Sequence, residues 1–248
     1  MPFFIFILGL IVGSFLNVVI FRLKQNEQFV KGRSKCLFCK KELKFLDLIP
    51  LLSFIFLKAK CRYCARKLSW QYPLVELATA LVFLTGFFYY QLFSFNYLSY
   101  LVFSCFLIII FVYDLKYYLI LDKVSLTALL FAFLANFLLG VNPLNLFLGA
   151  LILGGFFLAQ FVFSKGRWIG GGDIRLGLVM GAMLGWPGVL TALMVAYLAG
   201  AAAGLLLIVF KKKVWGSQLP FGVFLAPATW VTLLWGPQLV KWYFNLFN

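Results

Sequence analysis

The chain has 248 residues, 64% apolar, 20% aromatic and only 12% charged, with 22 Lys/Arg against seven Asp/Glu and no histidine. Soluble domains carry about 25% charged residues, so one water-facing globule is excluded. The missing histidine also excludes Ser–His and Cys–His nucleophile pairs and the H-E-x-x-H metal site.

In chain order, residues 3–21 form the first apolar run. It has neither the basic start nor the small-residue cleavage site of a removable signal, so it reads as a retained membrane helix. Residues 22–72 are polar and form the one sizeable part expected outside the membrane. Further spans are expected at 74–91, 97–113, 123–140, 144–163, 174–186, 188–210 and 220–237, each judged against the ~20 residues that cross a bilayer. The sixth covers only about 20 Å. It tilts little, stops at the membrane centre, or merges with the seventh through Trp186-Pro187-Gly188. Connections at Ser94-Phe95-Asn96 and Val141-Asn142-Pro143 make hairpins of their neighbours. No internal repeat is read. The expected fold is an all-α polytopic membrane protein of about eight transmembrane helices, with a small zinc-knuckle loop domain on the cytoplasmic side.

Charge sets the orientation. All basic residues but Lys241 fall in segment 22–72 or in the connections holding Lys116 and Lys123, Lys165, Arg167 and Arg175, and Lys211, Lys212 and Lys213. Positively charged loops stay inside, which places that side in the cytoplasm and both termini outside. Because the charge is spread over membrane flanks, topology accounts for it and no nucleic-acid partner is expected. Attraction to anionic lipid fits the same pattern.

Within the loop, Cys36-Leu-Phe-Cys39 and Cys61-Arg-Tyr-Cys64 are two C-x2-C knuckles. Together they supply the four thiolates of a closed tetrahedral zinc site, and the neighbouring cations favour thiolate. Two disulfides are the alternative, set against the reducing compartment that the charge pattern implies. With no open coordination position the metal is expected to be structural, folding a loop too small to hold itself. Cys105 reads as packing.

Of the carboxylates, Glu27, Glu42 and Asp47 lie in the loop and read as solvated surface charge. Glu76, Asp114, Asp122 and Asp173 touch membrane spans, where an acid costs about 2.5–3.5 kcal/mol at a helix centre. Asp114 follows the apolar run 107–113. Asp173 ends Gly170-Gly171-Gly172-Asp173, at the same expected depth. Two such carboxyls can share a proton, one activating water while the other polarises a carbonyl. An ion or proton pathway, as in a transporter, and a capping or structural pair are the other readings. The glycines offer unusual backbone geometry and close substrate approach, or a hinge. Asp122 suits an N-cap of the fourth span. Glu76 reads as a helix-start acid or a substrate contact. Dipole placement assigns Asp173, opening a helix, as base and Asp114, ending one, as acid.

These residues resemble, over nearly the whole length, the prepilin peptidase (type IV leader peptidase) family. Gly13-Ser14-Phe15-Leu16-Asn17 and Arg22 match its first helix. Arg33-Ser34-Lys35-Cys36, both knuckles, Ile49-Pro50 and Ser53 match its loop. Tyr72-Pro73-Leu74-Val75-Glu76 matches Y-P-x-x-E. Asp114 matches the first catalytic aspartate, Asp122 the acid of I-P-D, Gly170-Gly171-Gly172-Asp173-Ile174-Arg175-Leu176 the G-x-G-D-[IV]-K-L segment, and Pro220-Phe221-Gly222 to Ala226 a late P-F-G-x-x-L-A. Leu121, Lys24, Ala59 and Arg175 depart from it.

The resemblance implies an enzyme of the bacterial inner membrane that cuts the basic leader from prepilins or pseudopilins at the cytoplasmic face. Asp114 and Asp173 would be its peptidase pair, and Cys36, Cys39, Cys61 and Cys64 its zinc ligands. Glu76, Asp122 and Arg175 would be substrate or methyltransferase contacts. It further implies N-methylation of the new terminus with S-adenosylmethionine. The expected division is a first transmembrane helix (1–21), a cysteine loop domain associated with methyl transfer (22–73) and a transmembrane peptidase domain (74–248).

Overall fold

The computed structural model describes residues 1–28, 32–210 and 219–245, so the expected basic cluster Lys211, Lys212 and Lys213 lies outside the described residues. The chain divides into two compact units, Met1–Ile109 and Ile110–Asn248.

The first unit is built on α1 (Pro2–Lys24) and α3 (Gln71–Tyr89), with a short α2 (Leu52–Phe56) between them in sequence. Small residues every fourth position let the α1 and α3 backbones approach. A Cβ on Gly13 would sit 2.7 Å from the Cα of Glu76, and one on Gly9 would collide with Ala80. One turn further on, the Asn17 side chain donates to the Tyr72 carbonyl (3.2 Å) and accepts from the Gln71 side chain (3.0 Å). The pairs Gly9/Ala80, Gly13/Glu76 and Asn17/Tyr72 therefore step together along a strict antiparallel register. From α4 (Phe95–Tyr117), Tyr97 and Tyr100 donate to the Phe83 and Val82 carbonyls of α3 at 3.1 and 2.9 Å.

The second unit holds the end of α4, then α5 (Asp122–Leu138), α6 (Pro143–Ser164), α7 (Gly171–Leu184), α8 (Gly188–Val209) and α9 (Gly222–Asn245). Short α7 is its core and packs on α5, α6, α8 and α9. Leu176, Val179, Met180 and Ala182 are fully enclosed. Gly177 admits the Phe157 ring, whose nearest atom would lie 2.7 Å from a Cβ there. A helix wrapped in protein need not match the bilayer in length. Its last carbonyls, lacking helical partners, accept from the buried Asn136 amide: Ala182 at 2.8 Å and Met183 at 3.2 Å.

The long helices occur at the expected places. Among the described residues six (α1, α3, α4, α6, α8, α9) are long and apolar enough to cross a membrane; α5 and α7, with 17 and 14 residues, are shorter. The sixth and seventh segments do not merge. The chain breaks at Gly185 (φ +64°), the Trp186 amide is held by the Asn145 side chain at 2.8 Å, and α8 starts afresh at Gly188. Pro237, where the last span was expected to end, lies inside α9.

Candidate functional site

Asp114 lies in the last turn of α4 and Asp173 in the first turn of α7, both in the second unit, 5% and 7% exposed. Asp173 is the third residue of its helix and accepts the Gly170 amide at 2.9 Å, closing the helix start with its own side chain. Its carboxyl also feels the charge of Asp114. The Asp114 carboxyl faces the Gly222 and Val223 amides that open α9, and its buried Oδ2 makes no hydrogen bond among the described residues. A Cβ on Gly222 would lie 2.7 Å from that oxygen.

Ile120, in the α4–α5 connection, ties these pieces together. A Cβ on Gly172 would be 2.9 Å from the Cβ of Ile120, and one on Gly222 would be 3.3 Å from its Cδ1. One aliphatic side chain thus lies against both helix starts that serve the two acids. The α9 start is itself fixed by aromatic contacts of Phe221 with Tyr197 and Phe157, at 5.1 and 6.0 Å between ring centres.

Several expectations change on this geometry. The glycines do not supply unusual backbone: Gly170 is extended (φ −85°, ψ 157°), and neither Gly171 nor Gly172 has a positive φ. What they supply is room, with Gly172 pressed on Ile120 and Gly171 facing open space. The dipole contrast between the two aspartates is offset, because Asp114, in the last turn of α4, also faces the start of α9, while Asp173 sits at the start of α7. Asp122 is not an N-cap. Leu121 has the extended cap conformation, and Asp122 is the first helical residue, ion-paired with Arg175 of α7. Glu76 is not a helix-start acid: it lies in the second turn of α3, buried, accepting the Leu51 amide at 2.9 Å. Asp47 is not solvated. Its side chain is 3% exposed and held by Arg62 (2.6 Å), the Tyr63 hydroxyl (3.3 Å) and the Lys44 amide (3.1 Å). Sequence reading missed Ile120 and Gly222 as parts of the site; a glycine right after an aromatic at a helix start was the available sign for the second.

In the first unit, the Sγ atoms of Cys36, Cys39, Cys61 and Cys64 all lie within 4.8 Å of one another, with Cys36 and Cys64 4.0 Å apart. All are free thiols, so the disulfide alternative fails. Sulfurs on a tetrahedral metal with bonds near 2.3 Å stand about 3.8 Å apart, so the set fits a four-thiolate metal site.

The loop also contains a repeat that the sequence reading did not find. Lys35-Cys36-x-x-Cys39-x-Lys41-x-Leu43 is matched by Lys60-Cys61-x-x-Cys64-x-Arg66-x-Leu68. Backbone bonds repeat with it: Cys36 to Lys41 and Lys40 to Cys36 in one knuckle, Cys61 to Arg66 and Ala65 to Cys61 in the other, all 2.9–3.0 Å. Lys40 and Ala65 both turn at positive φ (60° and 55°). The halves exchange cations: Lys41 lies over the Tyr63 ring at 5.5 Å, and Arg66 over the Phe38 ring at 5.1 Å.

Comparison with known proteins agrees with this layout. A family model described as the bacterial peptidase A24 N-terminal domain matches residues 7–90, and one described as the type IV leader peptidase family matches residues 101–205. The chain is 32% identical to a protein of Aeromonas salmonicida (strain A449) named prepilin leader peptidase/N-methyltransferase, covering 97% of this chain and 93% of that one. Proteins of the same name from Bacillus subtilis (strain 168) and Pseudomonas aeruginosa are 31% and 32% identical. They cover 98% and 96% of this chain and 97% and 91% of their own lengths. No solved structure matches the chain.

Proposed function

We propose that this chain, which belongs to the type IV leader peptidase family, cleaves the leader from prepilins or pseudopilins with Asp114 and Asp173, and methylates the new N-terminus. The observation that carries the reading is the pair of buried carboxyls, Asp114 in the last turn of α4 and Asp173 in the first turn of α7, with Ile120 against the α7 and α9 starts that serve them. One carboxyl in its ionised form draws a proton from water. The other, protonated, donates a hydrogen bond to the scissile carbonyl and stabilises the oxyanion that water attack creates. The proton then passes to the leaving amine. With both carboxyls facing helix starts, the two act as a coupled pair rather than as a fixed acid and a fixed base.

Burial serves this chemistry, since charge interactions strengthen where water is excluded. Asp173 is fixed by its bond to Gly170, and Asp114 by the α9 start. Arg175, held by Asp122, stands two residues from Asp173 in sequence and would meet the polar part of a substrate.

The four cysteines would hold zinc, which contributes folding energy to their loop. S-adenosylmethionine would be the methyl donor, and no residue is assigned to it. The enzyme would sit in the inner membrane, both termini outside, the cysteine loop and the aspartates toward the cytoplasm, in contact with anionic lipid. The peptidase chemistry would reside in 74–248 and the methyl transfer would draw on 22–73.

Purified protein in detergent, given a prepilin and S-adenosylmethionine, should yield a shortened product with a methylated N-terminus by mass spectrometry. A full-length, unmodified prepilin after prolonged incubation with folded enzyme would refute the reading.

A further inference from the structure

Residues 48–57, which include α2, are apolar apart from Pro50 and Ser53, in a loop otherwise crowded with Lys and Arg. From the sequence they belong outside the membrane with the rest of the loop. The α1–α3 register places them deeper. The first charged residue of α1 is Arg22. Asn17, bonded to Tyr72, lies about 8 Å short of it along the helix, and Gly13, against Glu76, about 13 Å short, at 1.5 Å per residue. The Leu51 amide is bonded to the Glu76 carboxylate. A side chain leans toward the start of its helix, which returns a few ångströms, yet the amide still lies on the apolar side of Arg22.

Two further contacts hold the segment there. Phe54 is buried against Trp70, with ring centres 5.2 Å apart, beside the start of α3. The outer face is left bare: Leu52, Ile55 and Phe56 are 51%, 67% and 79% exposed, and Phe45 and Leu46 just before are 81% and 62%. Exposed Lys44 precedes the run and exposed Lys58 and Lys60 follow it.

We infer that residues 48–57 form a re-entrant segment that dips into the bilayer from the side of the cysteine loop, with Leu52, Ile55 and Phe56 covered by lipid chains. A run of about ten apolar residues has the length of a re-entrant or interfacial segment rather than a span. Backbone at membrane depth must be satisfied within the protein. Leu51 turns at φ 58° just before α2, and the Glu76 carboxylate satisfies its amide. The flanking lysines then meet anionic headgroups.

The test replaces Phe56 by the photoreactive amino acid p-benzoylphenylalanine in the full chain, reconstituted in vesicles of phosphatidylethanolamine and phosphatidylglycerol. Equivalent replacements go at exposed Leu81 on α3 and exposed Lys67 in the second knuckle. After irradiation, intact mass spectrometry should show phospholipid adducts at position 56 within about twofold of position 81, and about tenfold above position 67. A yield at 56 no higher than at 67 would return the segment to water. Adducts at 56 to a second polypeptide in place of lipid would give the face to a protein partner and overturn the inference. Glu76→Leu, which leaves the Leu51 amide without its acceptor, should lower the lipid yield at 56, while Glu76→Gln should keep it. No cleavage is needed for any readout, so the inference fails or stands apart from the peptidase assignment.

Discussion

In the first unit four thiols converge from two loops that repeat one another and trade a lysine and an arginine across each other's rings. In the second, two carboxyls are set by helix starts whose glycines are pressed against Ile120 and Asp114. The loop leaves Phe45, Ile55 and Phe56 mostly exposed, so it has little core of its own, and a cross-link must supply what packing does not. The helical unit encloses its acids in close-packed surroundings, where displacement by a single methyl is felt. One arrangement should therefore respond to metal and pH, the other to volume.

The largest effect is expected from the acids themselves. Asp114→Asn or Asp173→Asn should lower initial cleavage rates about 10³-fold or more, while metal content, measured on the same samples, stays at the wild-type value. Equal loss of metal would mean that the two units do not answer separately.

Next comes the cysteine cluster. Cys61→Ser with Cys64→Ser, or a strong chelator, should abolish metal binding and expose residues 32–70 to rapid proteolysis, with the α6–α7 core still resisting. Acid should act the same way. The Arg66 amide pulls the Cys64 thiol down, but desolvation and the thiols of Cys61, Cys39 and Cys36 outweigh it and push it up to about 11. A thiol with a raised pKa keeps its proton, and metal must displace it, so affinity falls as pH falls, by about tenfold per unit for each proton released. Metal titrations at two pH values would show a flat profile if this is wrong.

A paired substitution isolates volume. Gly222→Ala puts a methyl group on Asp114 Oδ2 and should cut kcat about 100-fold with little change in KM, a displacement effect. Gly171→Ala, which meets open space, should stay within about twofold. Similar losses in both would point to helix-start backbone rather than to room. The smallest change belongs to the cation exchange: Arg66→Leu should destabilise the metal-bound loop by about 0.5–1 kcal/mol, read from its proteolysis midpoint in denaturant.

Much of this architecture is legible in the order of the amino acids. Cysteine spacing is a local constraint, so two C-x2-C turns announce a metal site. Asp114 and Asp173 stand out because an acid beside an apolar run is costly. The helix order is readable because hydropathy acts locally, and the family resemblance because its motifs are short and keep their order along the chain. What stays hidden depends on residues far apart in sequence. Nothing near Asp122 names Arg175, nothing near Asp114 names Gly222, and burial of Asp47 needs Arg62 and Tyr63 brought to it. The knuckle repeat is hard to see because, beyond the cysteines, it is written in lysine, arginine and leucine, which are common throughout this loop.

The stepwise pairing of Gly9, Gly13 and Asn17 with Ala80, Glu76 and Tyr72 has a consequence for how the first helix can vary. Inserting one residue between Gly9 and Asn17 would rotate one half of α1 by about 100° against the other, so the glycines and the asparagine could no longer face α3 together. Seven added residues would restore the phase to within about 20°, but would slide the glycines two turns out of step with α3. The helix behaves as a graduated ruler, and substitutions on its lipid-facing marks should be accepted far more readily than any change in the number of marks.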